Sequence, residues 1–166
     1  MPDIRLRSDD PDPSPIQVCL NTWHQVLTGD RAALDDLIAD DAVLHSPVLF
    51  KPVHGKELVV LYLTGAAMSF VGTESTPAAD DGPAHHEAGG WDGRFRYVRK
   101  LVDTHDALLE FETTMAGKYV NGVDLIRCND DGKVVDFKVM VRPRQAVEAV
   151  RELMAAALDT LQADPI

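Results

Sequence analysis

The feature that most constrains this chain is a block of four β-prone segments, residues 95–102, 108–116, 119–127 and 134–141, separated by little more than turns. Strands joined so closely pair with their neighbours in antiparallel fashion, as a meander. Thr104-His105-Asp106 supplies one polar turn. Asn129-Asp130-Asp131-Gly132 supplies another, with the residue types that tolerate the backbone of a tight hairpin. A sheet of this kind has an apolar face that another layer must cover. The cover has to come from the segments on either side.

Those segments read as helices. Ser14 is placed to cap a first helix, with Pro15 at the first helical position and Gln17 completing a capping box. Ile16, Cys19, Leu20, Trp23 and Leu27 recur at helical spacing and mark a buried stripe, and Gly29 stops the helix. Asp30 caps a short second helix carrying Leu34, Leu37 and Ile38. A short strand over residues 42–46 follows, closed by Pro47, and residues 48–55 form a loop. Residues 56–71 are predicted helical, with Leu58, Leu61, Tyr62, Ala66 and Phe70 facing inward. Pro143 opens a long closing helix whose stripe is Val147, Val150, Met154, Ala157, Leu158 and Leu161. Residues 1–13 read as a flexible tail and 14–166 as one domain, in which 72–93 form a long loop fit for a lid, a partner contact or disorder. The packing that buries both apolar sets is an α+β cone, the sheet curling around the first helices and leaving a conical hollow.

Charge and composition exclude several classes of function. The chain has 166 residues, enough for one self-sufficient core. Its 27 acids against 16 bases, a net charge of −11, leave no basic stripe for nucleic acid and no attraction to an anionic membrane surface. No apolar run reaches the ~18–20 residues of a membrane span, and the proline-rich, acidic start lacks the core of a secretory signal. A cytoplasmic protein is expected. Cys19 and Cys128 are too few for a disulfide framework and lack metal-ligand spacing, so buried thiols are expected.

The run over residues 28–47 (TGDRAALDDLIADDAVLHSP) resembles the helix–helix–strand signature of the SnoaL-like superfamily, also called nuclear transport factor 2-like (NTF2-like) or ketosteroid-isomerase-like. Gly55 before the third helix, residues 123–137 (VDLIRCNDDGKVVDF) and the exit VMVRP over 139–143 are similar to it as well. The resemblance implies a cone with a curved antiparallel sheet around N-terminal helices and a C-terminal helix. It also implies an apolar pocket, cofactor-free chemistry and a homodimer built on the outer sheet face. Where ketosteroid isomerases carry a general-base aspartate this chain has Ser46, and where they carry the oxyanion tyrosine it has Thr22. A supporting tyrosine corresponds to Leu63, and the second oxyanion acid is retained as Asp124. A serine hydroxyl does not abstract protons near neutral pH unaided, so steroid isomerisation by that chemistry is not expected. The Asp-Arg-Asp set of limonene-epoxide hydrolases is missing from the strands at 110–115 and 137–141.

Asp124, flanked by Val123 and Leu125, shares a strand face with Gly122 and Ile126, and the resemblance turns that face toward the cavity. A carboxyl among apolar walls has a raised pKa and can donate a hydrogen bond as the neutral acid. The alternative is a carboxylate satisfied by nearby N–H groups or facing solvent. Asp124 is the catalytic candidate, and Thr22, Trp23, Ser46, Tyr62, Phe70, Phe111, Ile126 and Phe137 are the expected ligand-binding residues. Each has a plainer reading: Thr22 bonding back to its own helix, Ser46 as a wall, the aromatics as core. His45 belongs on the sheet back. His85-His86-Glu87 lacks further ligands at metal spacing, so no metal is expected, and Trp91 is placed to fold over the pocket mouth. The expected function is binding of a small hydrophobic ligand, with isomerase- or cyclase-type chemistry within reach. The alternative is a non-catalytic homodimeric module with a vestigial pocket.

Overall fold

The computed structural model describes residues 13–71 and 91–163. The expected tail and most of the expected 72–93 loop, with His85, His86 and Glu87, lie outside the described residues, as does the side chain of Phe70. The elements run α1 (Pro15–Leu27), α2 (Ala32–Leu37), β1 (Ile38–His45), β2 (Val53–His54), α3 (Lys56–Val71), β3 (Arg96–Val102), β4 (Asp106–Met115), β5 (Lys118–Cys128), β6 (Val134–Arg142) and α4 (Arg144–Ala163).

Helix α1 starts where Pro15 allows it, and the Ser14 carbonyl accepts the N–H groups of Gln17 and Val18 at 2.8 and 3.2 Å. The expected capping box is not made: Ser14 forms no side-chain cap, and the Gln17 side-chain amide donates to Asn21 Oδ1 at 3.1 Å. Asp30 does serve α2, its Oδ1 accepting from Ala33 N at 3.3 Å. Ile16, Cys19, Leu20, Trp23 and Val26 form the buried stripe of α1. The side chains of Cys19 and Cys128 meet in the core as free thiols, and burial, with Cys128 second, pushes Cys19 up to about 12.

The sheet has six strands in the order β2-β1-β6-β5-β4-β3. Strands β3 to β6 form the expected meander, whereas β1 adds to β6 in parallel. Register irregularities interrupt β1–β6, β3–β4 and β5–β6, the local breaks that bend and twist a sheet. The sheet curves around the N-terminal helices, giving the α+β cone. The β5–β6 turn closes tightly on α1: Gly132 has φ +74°, and a Cβ there would stand 3.0 Å from Val18.

Three further expectations change. Ile38, expected on the second helix, opens β1, which therefore begins four residues before the expected strand at 42–46. The loop at 48–55 contains the two-residue strand β2, paired with Val43 and Leu44 of β1. On α3 the large apolar side chains buried among the described residues are Val59 and Leu63, while Leu58 is 50% exposed. The run Leu58-Val59-Val60-Leu61-Tyr62-Leu63 is apolar on every side, so periodicity does not select a face, and packing against neighbouring elements does. One core cluster joins α1, α2 and α3 to β1, β4, β5 and β6, and a second joins α4 to Phe111, Met115 and Val120.

Candidate functional site

Alternation along the central strands sorts their side chains between two faces. Leu109 of β4, Asp124 of β5 and Val139 of β6 stand in register on the concave face. Asp124 is therefore a carboxyl among hydrocarbon neighbours, and it is 5% exposed. Tyr97 of β3 registers with Phe111, and Phe111 with Gly122. From there the tyrosine hydroxyl reaches over β4 and donates to Asp124 Oδ2 at 2.7 Å. The indole N–H of Trp23 on α1 donates in turn to the Tyr97 oxygen at 2.8 Å. The three form one chain from helix to sheet.

The electrostatics follow from this enclosure. Loss of hydration lifts the Asp124 carboxyl from the ordinary 3.8 to about 7, and the hydrogen bond from Tyr97 only partly offsets it. Burial first, and the Asp124 charge second, raise Tyr97 well above its ordinary value, so the phenol keeps its proton. Near neutral pH the site thus holds a carboxyl group that is an acid or a base with almost equal ease.

Asp124 borders a cavity of about 50 Å³. Trp23 and Leu27 of α1 and Leu63, Ala66 and Ala67 of α3 wall one side, and Phe95, Phe111, Phe137 and Val139 wall the other. The space is small beside the ~300–1,000 Å³ of ordinary ligand pockets. Aromatic rings occupy the rest of the cone. Phe95 stacks on Phe111 with centroids 5.3 Å apart and meets Tyr97 edge-on at 5.1 Å, and Trp23 meets Phe137 at 5.1 Å. The Phe111 ring lies over Gly122, where a Cβ would stand 2.2 Å from Cζ. Glycine is what admits the ring.

Of the residues expected to bind a ligand, Trp23, Phe111 and Phe137 come together at this cavity with Asp124. Thr22, Ser46, Tyr62 and Ile126 do not border it. The Thr22 hydroxyl donates to the Val18 carbonyl at 3.2 Å, and the Ser46 Oγ accepts from Val48 N at 3.4 Å within the turn after β1. Tyr62 packs half-buried between the two core clusters, and Ile126 is core, turned with Ala107 and Phe137 toward α1. His45 pairs with Asp136 Oδ2 at 3.0 Å. Trp91 is not over the cavity: it sits edge-on to Tyr119, with the Arg96 guanidinium 4.9 Å from its ring centroid, because the other face of the sheet offers it these partners. Sequence reasoning missed Tyr97 and Phe95. Their signal was the two-residue spacing of aromatics that enters β3 on one face. Among the described residues no group of three His, Cys, Asp or Glu side chains could hold a metal ion. No helix of the described residues is long and apolar enough to cross a membrane.

Comparison with solved structures decides the family. A steroid delta-isomerase from Pseudomonas aeruginosa is 30% identical, superposes with a TM-score of 0.73 and is matched over 93% of this chain and 98% of its own. The chain belongs to the NTF2-like, ketosteroid-isomerase-like superfamily. An uncharacterised bacterial protein with a cystatin-like fold from Silicibacter pomeroyi is 26% identical (TM-score 0.68, 87% and 88% covered). An NTF2-like protein of unknown function from Mesorhizobium loti, 22% identical at a TM-score of 0.57 with 81% and 98% covered, shares the fold. No family model and no curated protein sequence matches the chain. Within this NTF2-like frame, the hydroxyl beside the acid comes from Tyr97 on β3, and α1 contributes the indole of Trp23.

Proposed function

We propose that the protein binds the carbonyl-bearing end of an apolar ligand, with Asp124 donating a hydrogen bond to its oxygen as the neutral acid. The observation that carries this reading is a buried carboxyl, without a charged partner, bordering an apolar cavity. An acid with a pKa near neutrality, placed where an oxyanion develops, lowers the cost of enolising a carbonyl compound. That is the cofactor-free isomerase or cyclase type of chemistry. Asp124 is the catalytic candidate, Trp23, Phe111 and Phe137 form the apolar wall, and Ser46 stands far from the role of a base. The likeness to a steroid delta-isomerase supports a carbonyl ligand. A cavity of about 50 Å³ argues against a whole steroid in this conformation.

The test is an NMR titration with 2-butanone, using xenon as a probe of similar compactness but without an oxygen. Butanone is expected to perturb the amides of Leu109 and Val139, several-fold more strongly below pH 7 than above it, while xenon binding stays independent of pH. Butanone binding that is unchanged in Asp124→Leu would overturn the reading. Native mass spectrometry of the purified protein then looks for an apolar compound carried through purification.

A second reading, the homodimeric module, draws on the other sheet face, where Leu101 and Met140 are 58% and 53% exposed. Sedimentation across protein concentrations tests it. An 18.2 kDa species throughout would remove it.

A further inference from the structure

The hydrogen bonds around Asp124 have a direction that follows from the donors alone. An indole N–H only donates, so the Tyr97 oxygen accepts from Trp23. The single phenolic proton is then directed at Asp124 Oδ2, which makes Oδ2 an acceptor. Reversing that bond would leave the phenolic proton without an acceptor in a low-dielectric site, a costly arrangement. Oδ1 accepts no hydrogen bond from the described residues, and it is not among the sealed, partnerless polar atoms, whose one member is Thr114 Oγ1. Asp124 borders the cavity, so Oδ1 is the oxygen that meets the open space.

We propose that Tyr97, held by Trp23, is the positioning residue of this site: it pins Oδ2 as a permanent acceptor and makes Oδ1 the one atom through which Asp124 gives or takes a proton at the cavity. The proposal rests on the ligand reading above and deepens it. A group that works through one oxygen presents one proton to one face of a ligand. Proton removal and return by Asp124 then occur on the same side of the bound molecule. In the neutral acid the proton sits on Oδ1 and is donated to a carbonyl oxygen. In the carboxylate the same Oδ1 accepts. Tyr97 reads neither state, because it keeps its own proton and directs it at Oδ2 in both.

The elements around Asp124 add nothing that competes with this control. The described parts of α1, α3, β4 and β6 turn apolar side chains and Trp23 toward it, and Tyr97 is the one titratable group acting on it. Removing the hydroxyl removes a donor to the carboxylate, so the carboxyl becomes a weaker acid. Removing only the indole N–H leaves the phenol in place but less polarised and free to turn, a smaller effect of the same sign.

The experiment is a ¹³C NMR titration of the Asp124 carboxyl in the free protein, in Tyr97→Phe and in Trp23→Phe. The midpoint is expected to rise by about one pH unit in Tyr97→Phe and by roughly half of that in Trp23→Phe. A purely structural role for Tyr97 would lower thermal stability and leave the midpoint in place. An unmoved or lowered midpoint in folded Tyr97→Phe therefore overturns the proposal, and if that variant does not fold, Trp23→Phe decides by the same sign. Pairing each titration with 2-butanone binding separates the two claims. Midpoints that rise in a protein that ignores butanone sustain the positioning role and sink the ligand reading. Midpoints that stay fixed in a protein that binds butanone do the opposite.

Discussion

The paired strands β4 and β5 place carboxylates on opposite faces of the sheet, those of β4 on the convex face and Asp124 of β5 on the concave one, and the two are chemically unlike. On the convex face Glu112 pairs with Arg96 at 3.0 Å, Glu110 with Arg99 at 3.4 Å and Asp106 with Arg127 at 2.8 Å. These pairs are partly or largely open to water, which hydrates each charge and screens the pair. On the concave face, one residue along from Val123, Asp124 has a phenol and hydrocarbon around it and, among the described residues, no cation. The residue type is nearly the same, and the strands that carry them are paired neighbours. What differs is which side of the pleat each carboxylate occupies, and hydration makes that difference decisive.

The comparison is broken or sharpened first by pH. Asp124 binds its proton more tightly in the folded chain than in the unfolded one, so between 3.8 and about 7 the native state holds the extra proton. Unfolding free energy therefore falls as pH rises through that window, with the group's full contribution present below it and lost above it. At ~1.4 kcal/mol per pH unit, the difference in slope between wild type and Asp124→Asn amounts to about 4 kcal/mol across the window. Urea denaturation at a series of pH values measures it. Parallel curves for the two proteins would show that the concave carboxyl is hydrated after all.

A smaller effect tests the packing that keeps water out. Gly122→Ala places a methyl against the Phe111 ring and 2.8 Å from the Met140 carbonyl oxygen. The expected loss is about 3 kcal/mol by thermal denaturation, partly recovered in combination with Phe111→Leu. Full stability in Gly122→Ala would mean that the ring does not lie where the concave face requires it. The smallest effect belongs to the convex face. Arg99 is 67% exposed at the side chain, so Arg99→Ala costs less than about 1 kcal/mol, and less again in high salt. A salt-insensitive loss larger than the one in Gly122→Ala would invert the comparison.

The β-meander and the buried stripe of α1 could be read from periods of two and 3.6, because burial on one face leaves that trace in the sequence; alternation also put Asp124 on one face with Gly122 and Ile126, and the family resemblance turned that face inward. The face of α3 could not, since an all-round apolar helix carries no preferred side. Nor could the partner of Asp124. Tyr97 stands 27 residues earlier and one strand beyond its neighbour, so no local pattern links the two. Thr22 and Ser46 lie away from the cavity at Asp124, and there a short hydroxyl side chain finds its partner on the nearest backbone group.

By itself, the order of residues determined the main helices, the four-strand meander, their sequence along the chain and which neighbours share a strand face with the acid. These are properties of hydrophobic spacing and turn chemistry, which act over a few residues at a time. Only the tertiary structure decided that the cone would be nearly filled with rings, and that an indole and a phenol from distant segments would converge on one carboxyl oxygen. Such convergence depends on strand register and on how far the sheet bends around α1, quantities set by the whole chain at once.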